Sequence, residues 1–134
     1  MFVDAAALVA ILSDEPEAAR CSAAIAAAAD PFTSAIALWE AAMALARPDK
    51  LAMPVEASAA LVGRFIDERG IALRDLPPVS EAAALSVEAA ARFRNNTVRL
   101  NLADCFHYAC ARHYGVSILS TAGEFRLTDL ETVP

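Results

Sequence analysis

Three carboxylates stand at positions where an unpartnered charge is costly. Asp4 is the lone charge between Met1 and Leu12, at the point where a short apolar strand, Met1-Phe2-Val3, should end. Glu40 is the only charge on an otherwise apolar segment from Ala35 to Ala46. Helical spacing puts it on the stripe of Ile36 and Met43, where a core side chain would normally point. Asp104 lies three residues after Asn101, in the first turn of a helix that Asn101 should cap. A buried carboxylate needs a partner, a metal or a proton. Two carboxylates about 5 Å apart repel by roughly 3 kcal/mol at an effective dielectric near 20, and a divalent cation turns that repulsion into binding. Oxygen-rich sites of this kind suit Mg²⁺ or Mn²⁺, which keep several waters and so can set one beside a phosphate. Each acid alone has an ordinary explanation: Asp4 as a helix cap, Glu40 paired with an arginine, Asp104 complementing a helix dipole. Three acids on three separate elements, each able to meet near one edge of a sheet, favour the joint explanation.

The elements that must carry these acids follow from local signals. A buried strand at Met1–Val3 should turn at Asp4 into an alanine-rich helix ending at Leu12. Pro16 to Ala29 reads as a helix with Glu15 and Glu17 beside its positive end. Phe32-Thr33 reads as a strand, and Ser34 as the N-cap of a helix to Ala46, closed by Arg47-Pro48. A helix from Pro54 to Glu68 with Gly70 past its end, a strand at Ile71–Leu73, and a helix capped by Ser80 and ending near Phe93 come next. After a loop from Arg94 to Arg99, Asn101 should cap a helix through Tyr114 that stops at Gly115, ahead of a strand from Val116 to Leu119. Strands separated by helices predict an α/β fold with a short, mainly parallel central sheet flanked by helices. Ligands of such sheets bind outside the carboxyl ends of the strands.

Composition sets the outer bounds. A chain of 134 residues fits one compact domain, 1–134, and its 57% hydrophobic content is enough for a packed core. No apolar run reaches the roughly 18 residues that a bilayer crossing needs, so no membrane association is expected. The apolar N-terminus has no basic leader and runs into Ser13-Asp14-Glu15-Pro16-Glu17, which predicts a cytoplasmic chain. A formal net charge of −6 argues against holding nucleic acid on a broad basic surface, so an RNA would have to be held locally. Cys21, Cys105 and Cys110 form no CxxC pair and read as buried free thiols. His107 and His113 are six residues apart on one helix, not at the i, i+4 spacing of a helical zinc pair, and read as structural. Trp39, Phe93, Phe106 and Tyr108 read as core or interface.

With these residues in view, the chain resembles the VapC-type toxins of the PIN-domain family. The matching stretches are Phe2-Val3-Asp4-Ala5-Ala6-Ala7-Leu8-Val9-Ala10-Ile11-Leu12, Thr33-Ser34-Ala35 through Glu40, Arg99-Leu100-Asn101-Leu102-Ala103-Asp104-Cys105, and Gly123-Glu124-Phe125 with Thr128-Asp129-Leu130. The resemblance implies a PIN-like fold, a Mg²⁺- or Mn²⁺-dependent endoribonuclease activity leaving a 5′-phosphate and a 3′-hydroxyl, homodimerisation, and inhibition by a cognate antitoxin. Asp4, Glu40 and Asp104 match the family's acidic metal-site positions, and Glu124 falls where the fourth acid is usually aspartate. Asp129 is a second candidate for that place, against a reading in which it supports the turn at Thr128. Ala6 stands where many relatives have serine or threonine, and Ala103 replaces a frequent glycine. Arg94 and Arg99, beside the Asp104 helix, are the nearest basic candidates for RNA phosphate contacts. The alternative is a catalytically weak PIN scaffold that binds antitoxin or RNA. Phosphotransfer on Asp4 is disfavoured because Ala6 stands where a second acid would be wanted. If the acids crowd one pocket, removing any of them should relieve repulsion and leave the metal-free fold at least as stable.

Overall fold

The computed structural model describes residues 1–95 and 97–133. Asn96, inside the loop expected between Arg94 and Arg99, lies outside the described residues. Phe2 and Val3 form β1, both fully buried, and the chain turns at Asp4 into α1 (Ala5–Leu12). α2 (Ala18–Ala27) begins two residues later than its proline signal suggests. β2 (Phe32–Ser34) runs directly into α3 (Ala35–Leu45), and the Ser34 side chain accepts a hydrogen bond from the Ala37 amide as the expected cap. α4 (Val55–Glu68) and β3 (Ala72–Arg74) follow.

α5 (Val79–Phe93) differs from expectation at its start, because Pro78 occupies the cap position with φ −47° and Ser80 falls inside the helix. The proline ring already holds the backbone angle that helix entry needs. α6 (Leu102–Tyr114) has the expected cap in its fuller reciprocal form: Asp104 N–H donates to Asn101 Oδ1 at 3.0 Å and Asn101 N–H donates to Asp104 Oδ2 at 2.7 Å. It ends at Gly115, whose φ of 62° is readily adopted by glycine. β4 (Ile118–Leu119), a 3-10 turn over Gly123–Leu127 and β5 (Thr132–Val133) complete the described chain. Among the described residues no helix is long and apolar enough to cross a membrane.

The five strands form one sheet in the order β3-β2-β1-β4-β5, with every pairing parallel. Strands of two or three residues cannot hold a sheet by hydrogen bonds alone, so the helices that flank it supply most of the buried surface. Phe2, Phe32, Leu8, Tyr108, Ile118 and Phe125 are the largest contributors to that core. From β1 the chain passes to β2 on one side, and β4 lies on the other. The order therefore switches direction between β1 and β4, where the carboxyl ends of parallel strands leave a crevice. Asp4 follows β1 and Ser120 follows β4, so both open onto it.

The apolar α3 is not buried all round, as its composition suggested. Ala37, Ala41, Ala42 and Leu45 form its buried face, while Trp39 is 62% exposed and Met43 39%. Small alanines let α3 lie close against α1 and α4, and that close packing turns the bulky residues outward. Glu40 accordingly stands half-buried at the margin of the core rather than within it. All three cysteines are free and buried, as expected.

Candidate active site

Asp4 is the anchor of the crevice. Its carboxylate is almost completely buried, and Ser120 Oγ donates to its Oδ2 at 2.6 Å. His107 Nδ1 lies 2.8 Å from the other oxygen, Oδ1. Burial alone would raise the Asp4 pKa, but the contact with His107, the charge of that ring and the Ser120 hydroxyl outweigh it, and the carboxyl is held below the usual range. The same pairing acts on His107 in reverse. Burial disfavours the imidazolium, yet Asp4, Glu40 and Asp104 together raise the His107 pKa. Ser120 is itself fixed, accepting from the Ala122 amide at 3.0 Å, so the loop after β4 is tied to the acid after β1.

Glu40 and Asp104 are shifted the other way. Burial pushes the Glu40 carboxyl up, nearby Asp4 and Asp104 add to that, and His107 offsets part of it. Burial likewise raises Asp104, opposed by its hydrogen bond from the Asn101 amide and reinforced by Asp4 and Glu124. Asp104 thus serves two purposes that the sequence presented as alternatives. Its Oδ2 completes the cap of α6, and Oδ1 makes none of the hydrogen bonds described here.

Asp4, Glu40, Asp104 and Glu124 line one pocket of about 350 Å³, together with Arg99, Lys50 and Arg47. The tightest group of potential metal ligands among the described residues is, however, Asp4, Glu40 and His107, whose ligand atoms all lie within 4.8 Å of one another. His107 was set aside at the level of sequence because the spacing test compared it only with His113. Its partners come from β1 and α3, which no spacing on α6 can reveal. The signal that could have found it is that His107 lies three residues after Asp104 and shares its helix face.

The remaining candidates divide. Arg99 lines the pocket, whereas Arg94 is paired with it across an antiparallel bridge and faces a neighbouring hollow that Arg99 also lines. Asp129 lies away from the pocket: Tyr108 Oη donates to its Oδ1 and Arg92 to its Oδ2, both at 2.8 Å. It ties the C-terminal segment to α5 and α6, while the Thr128 hydroxyl makes its own turn with Phe125 and Leu130. Ala6 lines the pocket without any polar group. Arg47, whose sequence signal is only that of a helix stop, and Lys50, which carries no signal, bring cationic side chains to the α3 side. Lys50 is paired there with Glu15, and Arg47 with Asp49.

The donor set fits a hard divalent cation: several carboxylates converge on one small pocket, two of them with pKa values raised by burial and by their acidic neighbours. Comparison with known proteins agrees with this architecture. Residues 1–129 match the PIN domain family. The chain is 31% identical over 140 residues to a "Ribonuclease VapC" of Mycolicibacterium smegmatis, covering 99% of both chains. It is 28% identical to a VapC ribonuclease of Rhizobium meliloti, covering 96% of this chain and 98% of that one. Among solved structures it is similar to Mycobacterium tuberculosis VapC20, described as a sarcin-ricin loop cleaving toxin, with a TM-score of 0.74 at 15% identity over 99% of this chain and 98% of that one. FitAcB from Neisseria gonorrhoeae gives a TM-score of 0.66 at 16% identity, covering 99% and 96%. On sheet order, position of the crevice and near full-length sequence similarity, the chain belongs to the PIN-domain family and is of its VapC type.

Proposed function

We propose that this chain is a metal-dependent endoribonuclease, the toxin of a toxin-antitoxin pair, and that Asp4, Glu40, Asp104 and Glu124 form its catalytic pocket. The observation that carries the reading is the convergence of these four acids, from four separate elements, on one crevice at the carboxyl edge of a parallel sheet. Its support from outside the chain is the VapC ribonuclease relatives. Asp4, Glu40 and Asp104 would hold the ion, with Glu124 at its edge. Bound there, Mg²⁺ or Mn²⁺ supplies Lewis-acid polarisation of the scissile phosphate and a lowered pKa for the attacking water. The protein's share is positioning. Ser120 locks the Asp4 carboxylate, and the α6 cap fixes Asp104 by one oxygen. Arg99 on one side, with Lys50 and Arg47 on the other, can take the phosphates flanking the cut, which lets a chain of net charge −6 hold RNA locally. The direct test is incubation with RNA in Mn²⁺ and in EDTA, where cleavage in both would remove the metal from the account.

Glu124 has one methylene more than the aspartate usual at its place, and it lines the pocket from the loop after β4. Acting at the edge of the site, it should matter less than Asp4. Glu124→Ala is expected to weaken Mn²⁺ affinity or cleavage by about 10- to 100-fold, the scale of outer metal partners. Calorimetric titration together with cleavage rates on one RNA checks this, and a variant equal to wild type in both excludes Glu124 from the site.

An acidic pocket of this kind is also open to occlusion. An antitoxin presenting an arginine or lysine to Asp104 and Glu124 would neutralise the pocket while denying it to RNA. Trp39 (62% exposed) and Leu102 (69% exposed) flank the apolar groove beside it, a surface suited to a partner or to a second copy in a homodimer. Adding the product of the neighbouring reading frame is expected to abolish cleavage on binding. Binding with cleavage intact would count against occlusion.

A further inference from the structure

His107 is a wholly buried polar side chain beside Asp4 and Glu40 whose hydrogen-bonding capacity is unused among the described residues. It is completely buried, and neither Nδ1 nor Nε2 has an aligned hydrogen-bond partner among the described residues. A native interior seldom leaves both nitrogens of an imidazole in that condition. The ring is nonetheless aimed at the acids. Nδ1 stands 2.8 Å from Asp4 Oδ1, off the line of the N–H, and Nε2 stands 3.8 Å from Glu40 Oε2. The Phe2 ring packs against it with centroids 5.5 Å apart, so the imidazole has a fixed wall behind it.

The second contact is the informative one. A distance of 3.8 Å is too long for a hydrogen bond, yet it suits two ligands of one cation, since bonds of about 2.1 Å hold neighbouring donors roughly 3 Å apart and opposite donors roughly 4.2 Å apart. Asp4, Glu40 and His107 each offer one atom within 4.8 Å of the others, a little wider than the roughly 4.2 Å between opposite donors of one ion.

Resting on the reading of the pocket as a divalent-metal centre, we infer that His107 Nε2 is a direct ligand of the ion beside Asp4 and Glu40. The centre is then a mixed nitrogen and oxygen site. Imidazole suits the later transition ions such as Fe²⁺, Ni²⁺ and Zn²⁺, whereas Mg²⁺ and Mn²⁺ are served by carboxylate, carbonyl and water. A nitrogen ligand should therefore widen the range of first-row ions the site accepts, with Mn²⁺ the lowest of them in affinity.

Pulsed electron paramagnetic resonance on the full chain loaded with Mn²⁺ reads the ligand directly, without any substrate. The chain has two histidines, and His113 is paired with Glu81 outside the pocket. A strong nitrogen hyperfine coupling in the wild-type spectrum is therefore expected from His107. It should vanish in His107→Gln, which should also lose at least about 10-fold in Mn²⁺ affinity. The wild-type spectrum decides even if the variant fails to fold. Nitrogen coupling upholds the ligand whether or not the protein cuts RNA, so failure of the ribonuclease reading is seen separately. Bound Mn²⁺ without nitrogen coupling overturns the ligand even if RNA is cut, and so does a chain that binds no Mn²⁺.

Discussion

Asp104→Asn and Asp4→Ala are each expected to abolish RNA cleavage, and to move the stability of the metal-free protein in opposite directions. The loss of activity should exceed the roughly 10- to 100-fold that an outer partner commands. For stability, the two acids differ in what they leave behind. Asparagine at 104 can still accept from the Asn101 amide through its own oxygen, and the substitution removes a charge that burial and neighbouring Asp4 disfavour. The metal-free Asp104→Asn protein should melt above wild type. Alanine at 4 strands the Ser120 hydroxyl and leaves His107 buried without its nearest acid. Unpaired buried polar groups cost about 1 to 3 kcal/mol each, so Asp4→Ala should melt lower despite the relief of repulsion. The even relief expected from crowding alone is therefore predicted for Asp104 and not for Asp4. Paired thermal melts in EDTA check the divergence, and equal upward shifts would contradict the internal pairing of Asp4.

Metal loading should reverse the response of stability to pH. Glu40, Asp104 and His107 have pKa values raised in the folded chain. A group with a raised folded pKa binds its proton more tightly when folded, so its stabilisation is complete below the unfolded pKa and is lost as pH rises through the folded value. The metal-free protein should therefore lose stability as pH rises, from the ordinary glutamate value of 4.5 upward for Glu40 and from 6.5 upward for His107. Asp4, with a lowered pKa, has the opposite sign. Its contribution is present above its ordinary 3.8 and is lost only at lower pH. Bound Mn²⁺ needs deprotonated ligands, so the loaded protein should gain on the metal-free one as pH rises. At a free concentration of about 100 times Kd the gain is about 2.7 kcal/mol. Melting curves at several pH values with Mn²⁺ or EDTA read both slopes, and parallel slopes would mean that the metal does not bind these groups.

The fold was legible wherever a local signal sufficed. Ser34, Asn101 and Gly115 marked helix ends by their own chemistry, and the alternation of short apolar runs with helices was enough for a parallel sheet. Asp4 stood out because a charge inside an apolar strand-to-helix turn has few other uses. What escaped notice depended on contacts across the fold. The partners of His107 lie more than 60 residues away in the chain, and Ser120 carries no pattern that announces a hydrogen bond to Asp4. Arg47 reads only as part of a helix stop, and Lys50 carries no local signal at all. Glu40 was expected deep in the core because α3 is apolar all round, whereas the helix buries its alanines and leaves Trp39 exposed. Asp129 stands in the sequence as either a fourth acid or a support of the Thr128 turn, and neither shows the contacts it makes, which are with Tyr108 and Arg92.

The central claim is that these converging acids make a metal-dependent ribonuclease, and mapping the ends of RNA fragments produced by wild type and Asp104→Asn tests it most directly. Both proteins would be purified identically and incubated in Mn²⁺ with structured RNA. Fragments with 5′-phosphate and 3′-hydroxyl ends from wild type, abolished by EDTA and absent from the variant, are the predicted result. Equal cleavage by the two proteins, or ends carrying a 2′,3′-cyclic phosphate, would contradict it.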